Sequence, residues 1–269
     1  MTPPIALTVA GSDSGAGAGI QADLKVFAAL RVYGTCVVTA VTAQNTRGVH
    51  DVYPLPGNVV GAQLTAVLDD LPPLATKTGM LASGEVAAAV TAKARAGLLP
   101  NLVVDPVLES SSGRRLGVVS AIERLLPYAL VATPNCEEAS ALVGWPVATP
   151  ADMAGAAGQL ASGGPKFVVV TGGDLASGDE AVDAMWTDAG VRFLRYPRIA
   201  TRNTHGTGCT FSAAIAARLA LGDAVPQAVT FAKQYVARAL ADAREWKLGS
   251  GTGPLDHFGF ENDRCGLEA

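Results

Sequence analysis

The chain has 269 residues, of which 49% are apolar and 16% charged, and its formal net charge is −4. This length and apolar content allow one large buried core, and the acidic balance lacks the basic surface of nucleic-acid-binding proteins. No apolar run reaches the roughly 18 residues of a membrane span. The first ten residues lack a basic leader and are interpreted as a strand, and the four cysteines form no CxxC pair. We therefore expect a cytoplasmic protein that binds neither nucleic acid nor membrane.

Short β-branched segments alternate with Ala-rich amphipathic segments, a pattern typical of βαβ units around a largely parallel sheet. The clearest predicted strands are residues 5–10, 35–41, 102–105, 130–133 and 167–171. The predicted helices are residues 20–30, 59–70, 85–96, 122–126, 135–143, 151–161, 210–221 and 225–246. Residues 181–195 are interpreted as an antiparallel hairpin at one sheet edge. Residues 1–260 are predicted to form one α/β domain, and residues 261–269 a disordered tail.

A glycine-containing turn precedes the first of the two C-terminal helices, with the sequence Asn203-Thr204-His205-Gly206-Thr207-Gly208-Cys209-Thr210. Gly206 and Gly208 tolerate backbone angles that other residues avoid, so successive N–H groups can converge on one anion. The new helix adds the positive end of its dipole. We call residues 206–209 the anion cradle and expect it to hold a transferring phosphoryl group, although an ordinary turn before a helix is the alternative.

A second glycine-rich segment, the first glycine loop (residues 11–19), follows the first predicted strand. Gly17, Gly19 and Ala22 match a variant of the dinucleotide-binding pattern. The acidic residue expected about 20 positions later is missing, which disfavours an oxidoreductase. The loop is instead expected to let a small ligand approach the backbone, with a purely structural turn as the alternative.

Polar residues follow several other predicted strands, at the sheet edge where ligands bind in α/β proteins. Asn135 and Glu138 lie three residues apart and suit a partly hydrated Mg²⁺ beside phosphates, but they equally fit a helix capping box. Asp105 can add a carboxylate there or cap the following loop. Residues 77–80 and 171–174 also follow strands and could line a pocket.

Three motifs resemble those of the hydroxymethylpyrimidine/phosphomethylpyrimidine kinases of thiamine biosynthesis, which belong to the ribokinase-like superfamily. The motifs also occur in the order in which that family carries them. They span residues 10–25, 39–46 and 203–210, and the likeness runs from about residue 5 to residue 258. It implies a three-layer α/β/α fold without a separate lid domain, ATP with Mg²⁺, and two successive transfers to a pyrimidine alcohol and its monophosphate. We also expect a homodimer. One departure is Thr171-Gly172-Gly173-Asp174, where relatives usually carry Lys-Gly-Gly-His.

The resemblance also implies roles for individual residues. Pyrimidine contacts fall on Asp23, Gln44 and Met80, with Gly11, Ala18 and Thr42 in the same pocket. Nucleotide contacts fall on Asn135, Thr171, Gly173 and Gly206, and metal contacts on Glu138 and Asp105. The catalytic residues are Cys209, Gly206, Thr207 and Gly208.

Cys209 occupies the position where most ribokinase-like enzymes carry an Asp that takes the proton from the attacking hydroxyl. Its place at a helix N-terminus predicts a pKa below the free-thiol value of about 8.5. Two other functions stay open at this point. Close relatives phosphorylate pyridoxal or pyridoxine, and the same fold could serve as a pyrimidine sensor without catalysis.

Overall fold

The computed structural model describes residues 2–108, 117–173, 175 and 178–259. The predicted tail at 261–269 and Asp174 lie outside the described residues. Within the described part, nine strands form one sheet: β1 (Ile5–Asp13), β2 (Tyr33–Asn45), β3 (Gly48–Pro54), β4 (Ala75–Thr78), β5 (Leu102–Val104), β6 (Val131–Ala132), β7 (Phe167–Thr171), β8 (Glu180–Thr187) and β9 (Gly190–Pro197). Their order across the sheet is β3-β2-β1-β4-β5-β6-β7-β8-β9.

Helices cover both faces of this sheet. They are α1 (Gly19–Ala29), α2 (Gly57–Asp70), α3 (Gly84–Arg95), α4 (Val119–Leu125), α5 (Cys136–Val143), α6 (Pro150–Ala161), α7 (Thr207–Ala220) and α8 (Val225–Asp242). Leu7 and Val9 pack into the core beneath α2 to α6, whereas Ala6 packs against α1, α7 and α8. This alternation follows from the two-residue period of a strand, and it produces the three-layer α/β/α arrangement.

The pairing confirms the largely parallel sheet with an antiparallel hairpin at one edge. Strands β1, β2 and β4 to β7 run parallel, and β8 and β9 complete that side as antiparallel partners. Strand β3 was not predicted, and it adds a second antiparallel edge by pairing with β2. Its exposed side chains include His50, Asp51 and Tyr53, so it lacks the apolar pattern by which a buried strand is recognised.

Helix α8 ends at Asp242, four residues before the predicted end. The Asn203 side chain explains the early stop, because its Nδ2 donates to the carbonyls of Ala243 (2.6 Å) and Trp246 (3.0 Å). These carbonyls therefore bind the turn before α7, which fixes that turn against the end of α8. Among the described residues, no helix has both the length and the apolar character needed to cross a membrane.

Candidate active site

A cavity of about 1140 Å³ lies at the edge where the parallel strands end. The topology brings together residues that are far apart in sequence, because the carboxyl ends of parallel strands share one edge. The cavity is lined by every residue to which the family resemblance gives a role except Asp23: Gly11, Ala18, Thr42, Gln44, Met80, Asp105, Asn135, Glu138, Thr171, Gly173, Gly206, Thr207, Gly208 and Cys209. Of the strand-end residues that could line a pocket, Gly79 does so, whereas Lys77, Thr78 and Gly172 do not. Their individual roles stay predictions, but their grouping is a property of the structure.

One part of the cavity is closely packed around Gly11 and Met80. A Cβ atom added to Gly11 would lie 2.2 Å from the Met80 methyl carbon, so only glycine leaves room for that side chain. Across the pocket, the Thr42 hydroxyl lies 2.9 Å from the Ser12 carbonyl and 3.2 Å from the Gln44 amide. This part therefore offers an apolar wall and an oriented amide, which suit a small heteroaromatic ring.

The anion cradle forms at the start of α7. Gly206 precedes the helix with φ of 91°, the left-handed region that favours glycine. The N–H groups of Gly208 and Cys209 belong to the first turn and have no carbonyl four residues earlier within the helix. Thr207 differs, because its N–H and its hydroxyl both donate to the Thr204 carbonyl, at 3.2 and 2.6 Å. The donors available to an anion are therefore those of Gly208 and Cys209.

The expectation of an acidic Cys209 thiol is wrong. Burial raises its pKa to about 12, and the nearby carboxylates of Asp105 and Asp23 act in the same direction. Lys77 and the backbone N–H of Gly19 oppose this shift without overcoming it. The helix dipole is worth at most about 2 kcal/mol, so desolvation and two negative charges outweigh it. At neutral pH the group is a thiol.

Asp23 does not line the cavity, and its pyrimidine contact stays a prediction. Its carboxylate is fully buried behind the cavity wall, where it accepts hydrogen bonds from Lys77 Nζ (2.9 Å) and the Thr8 hydroxyl (2.6 Å). Lys77 Nζ also lies 3.6 Å from Asp105, which does line the cavity. Burial lowers the pKa of Lys77, but the surrounding acidic groups outweigh that and raise it above its ordinary value. Asp23 therefore balances a buried cation beneath the site.

Asn135 and Glu138 form a complete capping box at the start of α5. The Asn135 side chain accepts from the Glu138 N–H (2.8 Å), and the Glu138 carboxylate accepts from the Asn135 N–H (2.9 Å). The capping alternative raised from the sequence is thus realised. Both side chains also line the cavity, so the cap holds a carboxylate at its wall.

A buried ion pair that the sequence analysis missed lies in another part of the cavity lining. Lys233 Nζ on α8 is 2.7 Å from Asp183 Oδ2 on β8. Burial raises the pKa of Asp183, while Lys233 and the Gly172 N–H oppose the shift. The sequence did contain a sign that Lys233 is buried, because it lies on the same helical face as Val229 and Val236, which are buried. A lysine within such a stripe requires a partner.

Two further lining residues were quoted within motifs without being assigned a role. Asp13 and His205 join the first glycine loop to the anion cradle, with the His205 Nε2 atom 2.8 Å from Asp13 Oδ2. The sequence did indicate that both residues lie near the site, because each is close to glycines of the two motifs. The partner of each could not be read from sequence, because they lie 192 residues apart.

The α/β/α fold, the anion cradle and the adjoining small-ring pocket define a small-molecule kinase of the ribokinase-like class. Residues 13–256 match the family model described as phosphomethylpyrimidine kinase. The chain belongs to this family.

Named relatives agree with that assignment. The hydroxymethylpyrimidine/phosphomethylpyrimidine kinase of Streptomyces coelicolor is 48% identical over 261 residues, covering 96% of this chain and 95% of that protein. A thiamine biosynthetic bifunctional enzyme of Arabidopsis thaliana is 50% identical over 275 residues, covering 98% of this chain but 53% of the longer protein. Among solved structures, a pyridoxal kinase from Staphylococcus aureus in complex with AMP-PCP and pyridoxal matches with a TM-score of 0.88 and 36% identity, covering 98% of this chain and 96% of that one.

Proposed function

We propose that this chain uses ATP to phosphorylate the hydroxymethyl group of 4-amino-5-hydroxymethyl-2-methylpyrimidine and then phosphorylates the monophosphate to the diphosphate. The observation that carries the proposal is one cavity that contains both a small-ring pocket and an anion cradle. Family membership and the names of the relatives support the same reaction in thiamine biosynthesis.

The pyrimidine is proposed to bind among Gly11, Ala18, Thr42, Gln44 and Met80. An amide carries both a donor and an acceptor, which match the two kinds of polar atom on an aminopyrimidine edge. The packed contact between Gly11 and the Met80 side chain supplies an apolar surface for the ring. In this proposal, Asp23 contributes only from behind the wall, through its ion pair with Lys77.

The phosphoryl group is proposed to be stabilised by the N–H groups of Gly208 and Cys209, with Gly206 shaping their approach. The nucleotide then extends along Asn135, Thr171 and Gly173. During transfer the alcohol oxygen bonds to the γ-phosphorus, the bond from that phosphorus to the β,γ-bridging oxygen breaks, and ADP leaves with the released charge. Fixed donors are effective here because charge on the transferring group dominates phosphoryl transfer.

A neutral Cys209 changes the expected path of the hydroxyl proton. In a loose transition state the alcohol is deprotonated late, so the hydroxyl proton can pass to an oxygen of the transferred phosphoryl group as the new ester bond forms. We propose that the thiol, which lies near the Gly19 N–H, positions the cradle and the alcohol without acting as a strong base. The second transfer needs no base, because a phosphate monoester is already ionised near neutral pH.

Mg²⁺ is proposed to bind beside Asp105 and Glu138. Both carboxylates line the cavity, and Mg²⁺ at phosphates usually takes one or two carboxylates and several waters. Within the described residues no three His, Cys, Asp or Glu side chains cluster as ligands, so the fit rests on these two oxygen donors. When bound, the ion neutralises charge on the β- and γ-phosphates.

We also propose that the protein is cytoplasmic and forms a homodimer. Cys36, Cys136 and Cys209 are free thiols, which supports a reducing cytoplasm. A homodimer is supported by the exposed edge strand β3, where Tyr53 lies opposite Val41 and both are largely exposed. Such apolar surface at a sheet edge favours pairing with another chain. Sedimentation velocity measures the assembly directly.

The test of substrate choice compares kcat/KM for the hydroxymethylpyrimidine, its monophosphate and pyridoxal under one set of conditions. We expect turnover of both pyrimidines, and preference for pyridoxal with no pyrimidine turnover would overturn the proposal. Gln44→Leu should raise KM for the pyrimidine by roughly 10- to 100-fold, because an unpaired buried polar edge costs about 1–3 kcal/mol. Gln63→Leu is the matched control, since Gln63 binds the Val38 backbone and does not line the cavity.

A further inference from the structure

The His205 side chain connects the two halves of the site. Its Nε2 atom lies 2.8 Å from Asp13 Oδ2 and 3.2 Å from Gln44 Nε2. Both His205 and Asp13 are buried. His205 directly precedes Gly206, so one side chain touches the first glycine loop, the pyrimidine pocket and the start of the anion cradle.

Asp13 organises the first glycine loop. Its carboxylate accepts hydrogen bonds from the N–H groups of Gly15 (2.7 Å), Gly17 (3.1 Å) and Ala18 (2.9 Å). Burial raises the pKa of Asp13, but His205 and the backbone donors outweigh burial and lower it below its ordinary value. The group is therefore a carboxylate at neutral pH, and a carboxylate can only accept.

The loops on either side of this contact have no spare room. A Cβ atom on Gly17 would lie 2.4 Å from the His205 ring, and one on Gly206 would lie 1.9 Å from the Gly17 carbonyl oxygen. The backbone at Gly206 therefore lies close against the first glycine loop, where no side chain fits between them, and the Asp13–His205 contact resists movement away from it. The cradle is held from both directions.

The proton positions follow from these contacts. Because Asp13 only accepts, His205 Nε2 carries the proton that lies between them. The same N–H can be shared with Gln44 only if the amide presents its oxygen. The Thr42 hydroxyl gives its proton to the Ser12 carbonyl at 2.9 Å, so its contact with Gln44 requires an amide N–H. As placed, the Gln44 amide turns Nε2 toward His205 and Oε1 toward Thr42. Both neighbours favour the exchanged assignment of these two atoms, because the ends of an amide are assigned from their hydrogen-bond partners.

We propose that His205 is a positioning residue whose Nε2–H binds the Asp13 carboxylate and orients the Gln44 amide, and so aligns the anion cradle with the bound pyrimidine. This inference deepens the proposed function and rests on it. It gives the two glycine motifs one shared purpose, because neither the phosphate donors nor the ring contact can shift without breaking the hydrogen bonds at His205.

The test replaces His205 with Leu, which keeps apolar bulk but cannot donate, and with Gln, whose terminal N–H reaches about as far as Nε2. We expect His205→Leu to lower kcat by roughly 10²-fold in both transfers, the loss associated with misplacement of about 1 Å, and to raise KM for the pyrimidine about 10-fold. His205→Gln should stay within about 5-fold of the parent. His50→Leu, on exposed β3, should leave both constants unchanged.

Equal losses in the Leu and Gln variants, or no loss in either, would overturn the inference, because each result removes the donated hydrogen bond as the cause. If His205→Leu does not fold, His205→Asn replaces it, since that amide is too short to reach Asp13 Oδ2 and should show the same loss. The parent protein is assayed first. Absence of pyrimidine turnover there refutes the proposed function, whereas failure of the inference appears only as a lack of contrast among variants of an active parent.

Discussion

Gly206→Ala tests whether the anion cradle depends on the close approach of its backbone to the first glycine loop. The new Cβ would lie 1.9 Å from the Gly17 carbonyl oxygen, whereas real Cβ contacts stay above 3.0 Å, so the two segments must separate by at least about 1.1 Å. The left-handed φ of 91° adds strain of about 1–2 kcal/mol for alanine. We expect the protein to fold with a lower melting temperature, since domains have about 5–15 kcal/mol of stability.

The catalytic effect should exceed the effect on stability. Misplacement of about 1 Å costs roughly 10²-fold in rate, so kcat should fall by about that factor in both transfers while the KM for the pyrimidine changes less. The assay is steady-state kinetics with each pyrimidine, beside thermal unfolding. Gly61→Ala is the control, because Gly61 lies within α2 with open space around its Cβ position. That variant should keep full activity and gain about 0.5–1 kcal/mol of stability. A folded Gly206→Ala variant with kcat within twofold of the parent would show that the cradle does not depend on this close backbone approach.

Three other predictions concern Cys209 and Glu138 in the cavity lining and the buried His257 outside it. Cys209→Ala should lower both transfers alike, by less than about 10-fold, because a thiol with a pKa of about 12 is a poor base at neutral pH. A loss of about 10²-fold confined to the alcohol would instead assign general-base catalysis to the thiol. Glu138→Gln should raise the Mg²⁺ concentration needed for half-maximal activity with little change in melting temperature, because the glutamine oxygen can still accept from Asn135. Unchanged Mg²⁺ dependence would remove Glu138 from the metal site. Burial, with smaller contributions from the nearby Lys25 and His205, lowers the pKa of His257 to about 4 from 6.5, so the native state binds fewer protons than the unfolded state and loses stability as pH falls from 6.5 to 4. Relative to His257→Asn, which does not titrate, the parent should lose up to about 3 kcal/mol over this interval in urea unfolding, and parallel pH profiles would contradict the assignment.

The grouping of the site residues was predictable because parallel topology fixes where strand ends lie. Residues after β1, β5, β6 and β7 meet at one edge regardless of their separation in sequence, and the motifs that follow these strands therefore line one cavity. Strand β3 was harder to predict, because its exposed residues lack the apolar pattern of a buried strand. Its extended conformation is stabilised by pairing with β2, which sequence does not show.

Asp23 shows what sequence can and cannot determine about a buried charge. It lies on the same face of α1 as Ile20 and Phe27, which are buried, so helical periodicity indicates an inward carboxylate that needs a partner. The identity of that partner, Lys77, depends on how α1 packs across β1 and β4. The raised pKa of Cys209 was unpredictable for the same reason, because Asp105, Asp23 and Lys77 approach the thiol only after folding.

The most direct test of the account follows the products of one reaction by phosphorus NMR. Purified protein is mixed with the hydroxymethylpyrimidine, ATP and Mg²⁺, and a sample with pyridoxal in place of the pyrimidine is followed in parallel. We expect a phosphomonoester signal that appears first and is then replaced by a diphosphate signal, while ATP is converted to ADP. ATP that stays intact with the pyrimidine, or is consumed only with pyridoxal, would contradict it.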